Sequence, residues 1–266
     1  MIRDITLGQY YQTESVLHGL DPRLKIIGTF LYIISLFLVR DIFGYAVAGI
    51  FLAVLIVLSH VPFKFMVRGL KGILVLLIFT GVVNVFLTPG EVLVSVWKFN
   101  ITREGLKVGS RMVIRLVFLV IGSSLMTLTT TPNRLTDGLE RVLKPLKRFK
   151  LPVHEVAMIM SIALGFIPIL IEELDKIMKA QSARGADFES KKLSARIKSM
   201  VPILVPLFVS SFRRAGDLAT AMEARCYHGG EGRTKLKPLR YRRADYIAYL
   251  VLILYFILII AVGIIF

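Results

Sequence analysis

Acidic residues are scarce in this 266-residue chain: 18 Asp and Glu stand against 34 Lys and Arg, a formal net charge of +16. Cysteine is nearly absent, and the single one, Cys226, excludes an internal disulfide framework and a thiolate-rich metal centre. Four histidines, His18, His60, His154 and His228, show no metal-ligand spacing. His154-Glu155 opens like a zinc-protease helix motif, but Met158 stands where the second histidine belongs. The chain has no GxxxxGK phosphate loop followed by Ser or Thr, so it is not expected to bind or hydrolyse ATP. Gly229-Gly230-Glu231-Gly232-Arg233-Thr234 lacks the lysine spacing of such a loop and reads as a turn. Cys226 lies beside Arg225, yet the sequence supplies no base or acceptor for nucleophilic catalysis. An enzyme is not expected, and neither is a metal or cofactor held by this chain.

What the chain has in excess is apolar sequence. Hydrophobic residues make up 55% before its 20 glycines are counted, and mean hydropathy is +0.70. Soluble domains reach about 45–50% with glycine included. A membrane-crossing helix needs about 20 mostly apolar residues. Five runs meet or approach that length, at about 24–39, 42–58, 69–87, 108–130 and 245–266. The first is short, but Arg23, Lys25 and Arg40 flank it and reach the interfaces by snorkelling. The N-terminal stretch is polar and does not read as a cleavable signal.

Two further apolar runs, Val156–Ile171 and Val201–Phe212, sit in the most basic part of the chain. Between Thr131 and Ala244 lie 22 Lys and Arg and 11 acidic residues, a net +11. The positive-inside rule places such a stretch in the cytoplasm. The expected fold is all-α and membrane-integral: four spans in 1–130, a basic helical cytoplasmic domain in 131–244, and a closing span in 245–266. The N-terminus is then cytoplasmic, and the 88–107 connection lies outside with Trp97 and Phe99 at the interface. Charge gathered beside a membrane accounts for the basicity without nucleic acid, which is not an expected partner. Leu135, Leu139, Val142, Leu143 and Leu146 recur at helical spacing among cations. That pattern fits either a helix in the anionic leaflet interface or a solvated basic connector, and Pro145 is expected to interrupt it. Arg111 and Arg115, one turn apart in the fourth span, read either as part of a polar path or as interfacial side chains that snorkel or pair with an acid such as Glu104.

An internal repeat is the most specific feature. Ala180-Gln181-Ser182-Ala183-Arg184-Gly185 is echoed 41 residues later by Ala221-Met222-Glu223-Ala224-Arg225-Cys226. On a helix the alanines and arginine of each copy share a face. Small side chains permit close approach, and arginine offers a planar fork for carboxylates or carbonyls. Two copies point to two equivalent docking sites and a partner of twofold or pseudo-twofold symmetry, unless the short match is coincidence.

The chain resembles the transmembrane T component of energy-coupling factor transporters. The residues that carry the resemblance are Leu20-Asp21-Pro22-Arg23-Leu24-Lys25, Leu128–Pro132 with Leu135–Glu140, Leu151-Pro152-Val153-His154-Glu155, Lys179–Phe188 and Ala221–Thr234. The resemblance implies two cytoplasmic coupling helices, each docking on one of two ABC-type ATPase subunits, which bind ATP and magnesium. It also implies a separate membrane-embedded S component that binds a vitamin- or metal-ion-class micronutrient. The implied docking residues are Ala183, Arg184 and Gly185, and Ala224, Arg225 and Cys226. Cys226 departs from the usual glycine, which puts in question whether that position needs a glycine-only backbone angle. A self-sufficient transporter or channel is the alternative; it predicts an inverted repeat of spans, and the only repeat lies in the basic domain.

Overall fold

Residues 10–39, 41–96, 99–186, 193–230 and 238–265 are described by a computed structural model. Trp97, residues 187–188 and residues 231–234, which belong to features named above, lie outside them. Nine α-helices are assigned among the described residues: α1 (Val16–Gly19), α2 (Pro22–Leu38), α3 (Ile42–Ser59), α4 (Phe63–Leu87), α5 (Arg103–Thr129), α6 (Pro132–Leu143), α7 (Val153–Ala183), α8 (Leu193–Ala224) and α9 (Arg243–Ile265). The all-α expectation holds, with one addition. Val92–Val96 (β1) and Phe99–Thr102 (β2) pair antiparallel, Val94 opposite Ile101, with a register shift between Val92 and Val94. The Val-Leu-Val-Ser-Val run favours a strand through its β-branched residues, in a connection read from sequence only as a loop. Thr102 then caps α5, accepting from the Gly105 N–H at 3.0 Å and donating to the Thr88 carbonyl at 2.7 Å.

Among the described residues, five helices are long and apolar enough to cross a membrane: α3, α4, α5, α7 and α9. The number matches the expectation but the membership differs. Helix α2 has only 17 residues, while α7 absorbs the run at Val156–Ile171 into a helix of 31.

The chain forms two compact units, Gly8–Arg141 with Leu239–Phe266, and Val142–Pro238. In the first, Leu36, Ala48, Met66, Ile121, Leu125, Tyr255 and Ile259 build one buried core from α2, α3, α4, α5 and α9. Phe51 stacks on Tyr255 with centroids 4.1 Å apart. Ser35 Oγ lies 2.7 Å from both the Tyr255 hydroxyl and the Tyr32 carbonyl. Helices α2 and α5 approach closely at Gly122, where a Cβ would meet the Tyr32 ring at 2.7 Å. Arg115 finds no acid here. It donates to the Tyr45 hydroxyl at 3.1 Å and the Val39 carbonyl at 3.2 Å, while Glu104 accepts from the Glu91 N–H. A freed helix-end carbonyl and an aromatic hydroxyl thus replace the expected partner.

A polar junction joins the starts of α2 and α9. Asp21 caps α2, with Pro22 at the first helical position. Its carboxylate accepts two bonds from the Arg23 guanidinium, at 2.9 and 2.7 Å, and the guanidinium lies 3.8 Å from the Tyr241 ring centroid. The fully buried Asp245 accepts from the Asp21 N–H at 2.8 Å and the Arg242 N–H at 2.6 Å. Burial pushes the Asp21 carboxyl up, but the bonds and charge of Arg23, with the charge of Lys25, outweigh it and hold the carboxyl below its ordinary 3.8. Burial is likewise the main cause that draws His18 below 6.5, against a bond to the Tyr11 carbonyl at 3.0 Å that favours the charged form.

In the second unit, α6 gives way at Lys144 to a 3₁₀ turn over Lys144–Phe149, interrupted as expected at Pro145. Helices α7 and α8 then pack as an antiparallel pair. Met158 meets Tyr227, Glu173 meets Arg214 at 3.2 Å, and Gln181 meets Pro202, so the register runs in opposite directions. Helix α8 passes through Pro202 and Pro206 without ending. Pro206 has no N–H, which leaves the Pro202 carbonyl without its helical donor. Gln181 Nε2 supplies one at 3.3 Å.

Candidate docking site

The two copies of the repeat close α7 and α8, and both ends fold alike. At the end of α7, the Arg184 N–H bonds the Gln181 carbonyl at 3.0 Å. The Gly185 N–H bonds Ser182, and the Ala186 N–H reaches back five residues to Gln181, each at 3.0 Å. At the end of α8, Arg225 bonds Met222 at 3.1 Å, Cys226 bonds Glu223 at 2.8 Å, and Tyr227 reaches back to Met222 at 3.1 Å. Every bond in one end has its counterpart 41 residues on. The six-to-one bond with a left-handed residue just past the helix is the Schellman closure.

That closure needs a positive φ, which is +90° at Gly185 and +54° at Cys226. Cys226 therefore adopts the left-handed backbone that glycine usually supplies. The geometry is kept at a steric cost of about 1–2 kcal/mol. Among the described residues only His60 and Lys150 also carry a positive φ without being glycine.

Exposure repeats as well. Ala183, Arg184 and Gly185 are all exposed, and so are Ala224, Arg225 and Cys226. Gln181 and Ala186, like Met222 and Tyr227, are half-buried at the base of each turn. Each end thus presents a small residue, a guanidinium and a second small residue on a rigid backbone. The antiparallel register aligns Arg184 with the region of Val201, so the two arginines stand at opposite ends of the pair. The 24 intervening residues of α8 set them about 35 Å apart. The repeat and its small-Arg-small pattern were legible in the sequence. The shared closure was not, because a cysteine gives no signal for a left-handed backbone.

Between these ends runs an apolar stripe. Val201, Leu204, Val205, Phe208, Val209 and Phe212 are exposed at helical spacing along α8. Contiguous exposed apolar surface marks an interaction face for protein or membrane. Helical spacing alone does not decide whether such a run is buried or exposed.

Residues 13–236 match the family described as cobalt transport protein, CbiQ. The chain is 55% identical over 246 residues to the energy-coupling factor transporter transmembrane protein EcfT of Ruminiclostridium cellulolyticum, covering 92% of each. It is 51% identical over 249 residues to that of Thermosediminibacter oceani, covering 94% of each. To that of Bacillus subtilis it is 47% identical over 246 residues, covering 92% of this chain and 93% of the relative. With its apolar helices and this extent of likeness, the chain belongs to the CbiQ family, among the energy-coupling factor transporter transmembrane proteins, EcfT.

Proposed function

We propose that the chain is the energy-coupling subunit of an importer, linking ATP hydrolysis by two cytoplasmic ATPase subunits to uptake through a membrane-embedded S component. The cargo is a micronutrient of the vitamin or metal-ion class, bound by the S component. The observation that carries this reading is the pair of identically closed helix ends. Ala183-Arg184-Gly185 docks on one ATPase and Ala224-Arg225-Cys226 on the other. Rigid caps suit the task, because motion at a docked end is passed along a helix rather than absorbed in a loop. The exposed stripe on α8 is apolar enough to meet a partner that is itself largely within the bilayer.

The chain has a non-catalytic part in this scheme; ATP and magnesium are held by the ATPases. It is a multi-pass protein of the cell membrane with its N-terminus and residues 131–244 on the cytoplasmic side. The net charge of +11 over 131–244 supports that placement.

The test is co-purification from the native membrane with a tag on this chain, beside the Arg184→Glu/Arg225→Glu variant. Two ATPase subunits are expected with the wild type and none with the variant. Reversing a paired interfacial charge costs about 2–5 kcal/mol per site. Recovery of the chain alone, with substrate transport intact in liposomes, would instead mark a self-sufficient transporter.

A further inference from the structure

A cleft of about 350 Å³ opens in the first unit, walled by α1, α2, α3, α5 and α9. Its volume lies within the range of about 300–1,000 Å³ that holds small ligands. The walls are apolar, with Leu52 and Leu125 among the deepest, and Lys25 is the one charged side chain among the described residues that line it. Leu58, Ile247 and Val251 line the cleft and are also exposed, so its opening is flanked by surface suited to hydrocarbon rather than water.

Lys25 marks one end. Its Nζ donates to the Thr129 carbonyl at 2.8 Å and the Thr130 hydroxyl at 3.1 Å, which uses two of three N–H groups. No carboxylate among the described residues pairs with it. Asp21 is taken up by Arg23, and Asp245 by two backbone donors. The nearby charge of the exposed Arg134 adds to the positive potential at Nζ, and those of Asp21 and Asp245 offset it in part without pairing with Lys25. An apolar slot with a cation at its rim that has no ion-pair partner among the described residues fits an amphiphile with a negative head.

We infer that this cleft holds an acyl chain of one anionic phospholipid, whose headgroup phosphate meets Lys25. The leaflet is the cytoplasmic one, and only that assignment rests on the orientation proposed above. The full-length chain in a mild non-ionic detergent is offered phosphatidylglycerol or phosphatidylcholine with the same acyl chains, and retained lipid is counted by native mass spectrometry. One phosphatidylglycerol per chain is expected, held about fivefold more tightly than phosphatidylcholine. Lys25→Met removes that preference and Lys25→Arg keeps it. Ala248→Phe, which fills the slot, abolishes retention of both lipids. Gly28→Val is a second plug, since its Cβ would meet only Leu252 methyls at 3.7 Å. Each variant is first shown to be monodisperse with wild-type helicity. Equal retention of the two lipids by the wild type, or unchanged retention in a folded plug variant, overturns the inference. Neither result touches ATPase docking, which is read by co-purification.

Discussion

Leu36, Ala48 and Met66 of the membrane bundle are fully buried, whereas in the α7–α8 unit only Ala157 and Ile203 are buried hydrophobics among the described residues. The bundle is closed by long-range polar contacts such as Asp21 with Asp245. The paired helices α7 and α8 rely on a few contacts along their length and leave Phe208 and Phe212 in the open. The bundle also exposes apolar side chains such as Phe37, Val75 and Phe79, but it has a buried core of its own to hold it together. A region that exposes a helical stripe between two capped ends is shaped for what binds it. Under the proposed function, the contrast separates holding in the membrane from transmitting to partners.

Ways to break that contrast differ in size. The largest effect is the loss of both ATPases in the Arg184→Glu/Arg225→Glu variant, and the bundle should keep its thermal stability, since both arginines are exposed. Asp245→Ala should do the reverse. It leaves the Asp21 and Arg242 N–H groups without an acceptor, costing about 1–3 kcal/mol for each buried orphan. Thermal unfolding in detergent should fall markedly, while the variant that does fold still brings down the ATPases.

Acid should also act on the bundle. His18 and Asp21 both have folded pKa values below their unfolded ones, so the unfolded chain takes up protons first. Stability is then full above pH 6.5, declines as pH falls below 6.5 through the folded pKa of His18, and declines again below 3.8 through that of Asp21. In a melting series against pH, His18→Gln should remove the upper step and Asp21→Asn the lower. The smallest effect sharpens the likeness of the two docking ends. Cys226→Gly relieves the left-handed strain and should stabilise the end of α8 by about 1 kcal/mol, read as slower hydrogen exchange at Arg225 through Tyr227.

Much of this was legible in the residues for plain reasons. Apolar runs locate α2 to α5 and α9, because long helices bury or expose whole faces at a fixed period. Thr131-Pro132 and Pro145 mark the bounds of α6 through proline's missing N–H. Local rules failed where compensation came from elsewhere in the chain. Pro202 and Pro206 are residues that break helices, but α8 runs through both, and Gln181 on the neighbouring helix gives the Pro202 carbonyl the donor that Pro206 lacks. Asp245 gives no sign in sequence that its partner lies 224 residues away. Pairing with an acid was one of several readings open for Arg115, which instead donates to a carbonyl and a tyrosine hydroxyl. The proposed docking residues stand out in the sequence by repetition, and the likeness of the two ends by the hydrogen bonds that close each helix.

In the proposed importer, ATPase subunits cover those two ends. Cys226 is the chain's only cysteine and is exposed, so it reports directly on one end. The decisive measurement is its labelling rate with a membrane-impermeant maleimide in inside-out vesicles, with ATPases bound and after they are stripped. The account predicts strong protection in the assembled complex, lost on stripping and lost in Arg225→Glu, and the same behaviour for Ala186→Cys in a Cys226→Ser background. Equal labelling with and without the ATPases at both positions would contradict it.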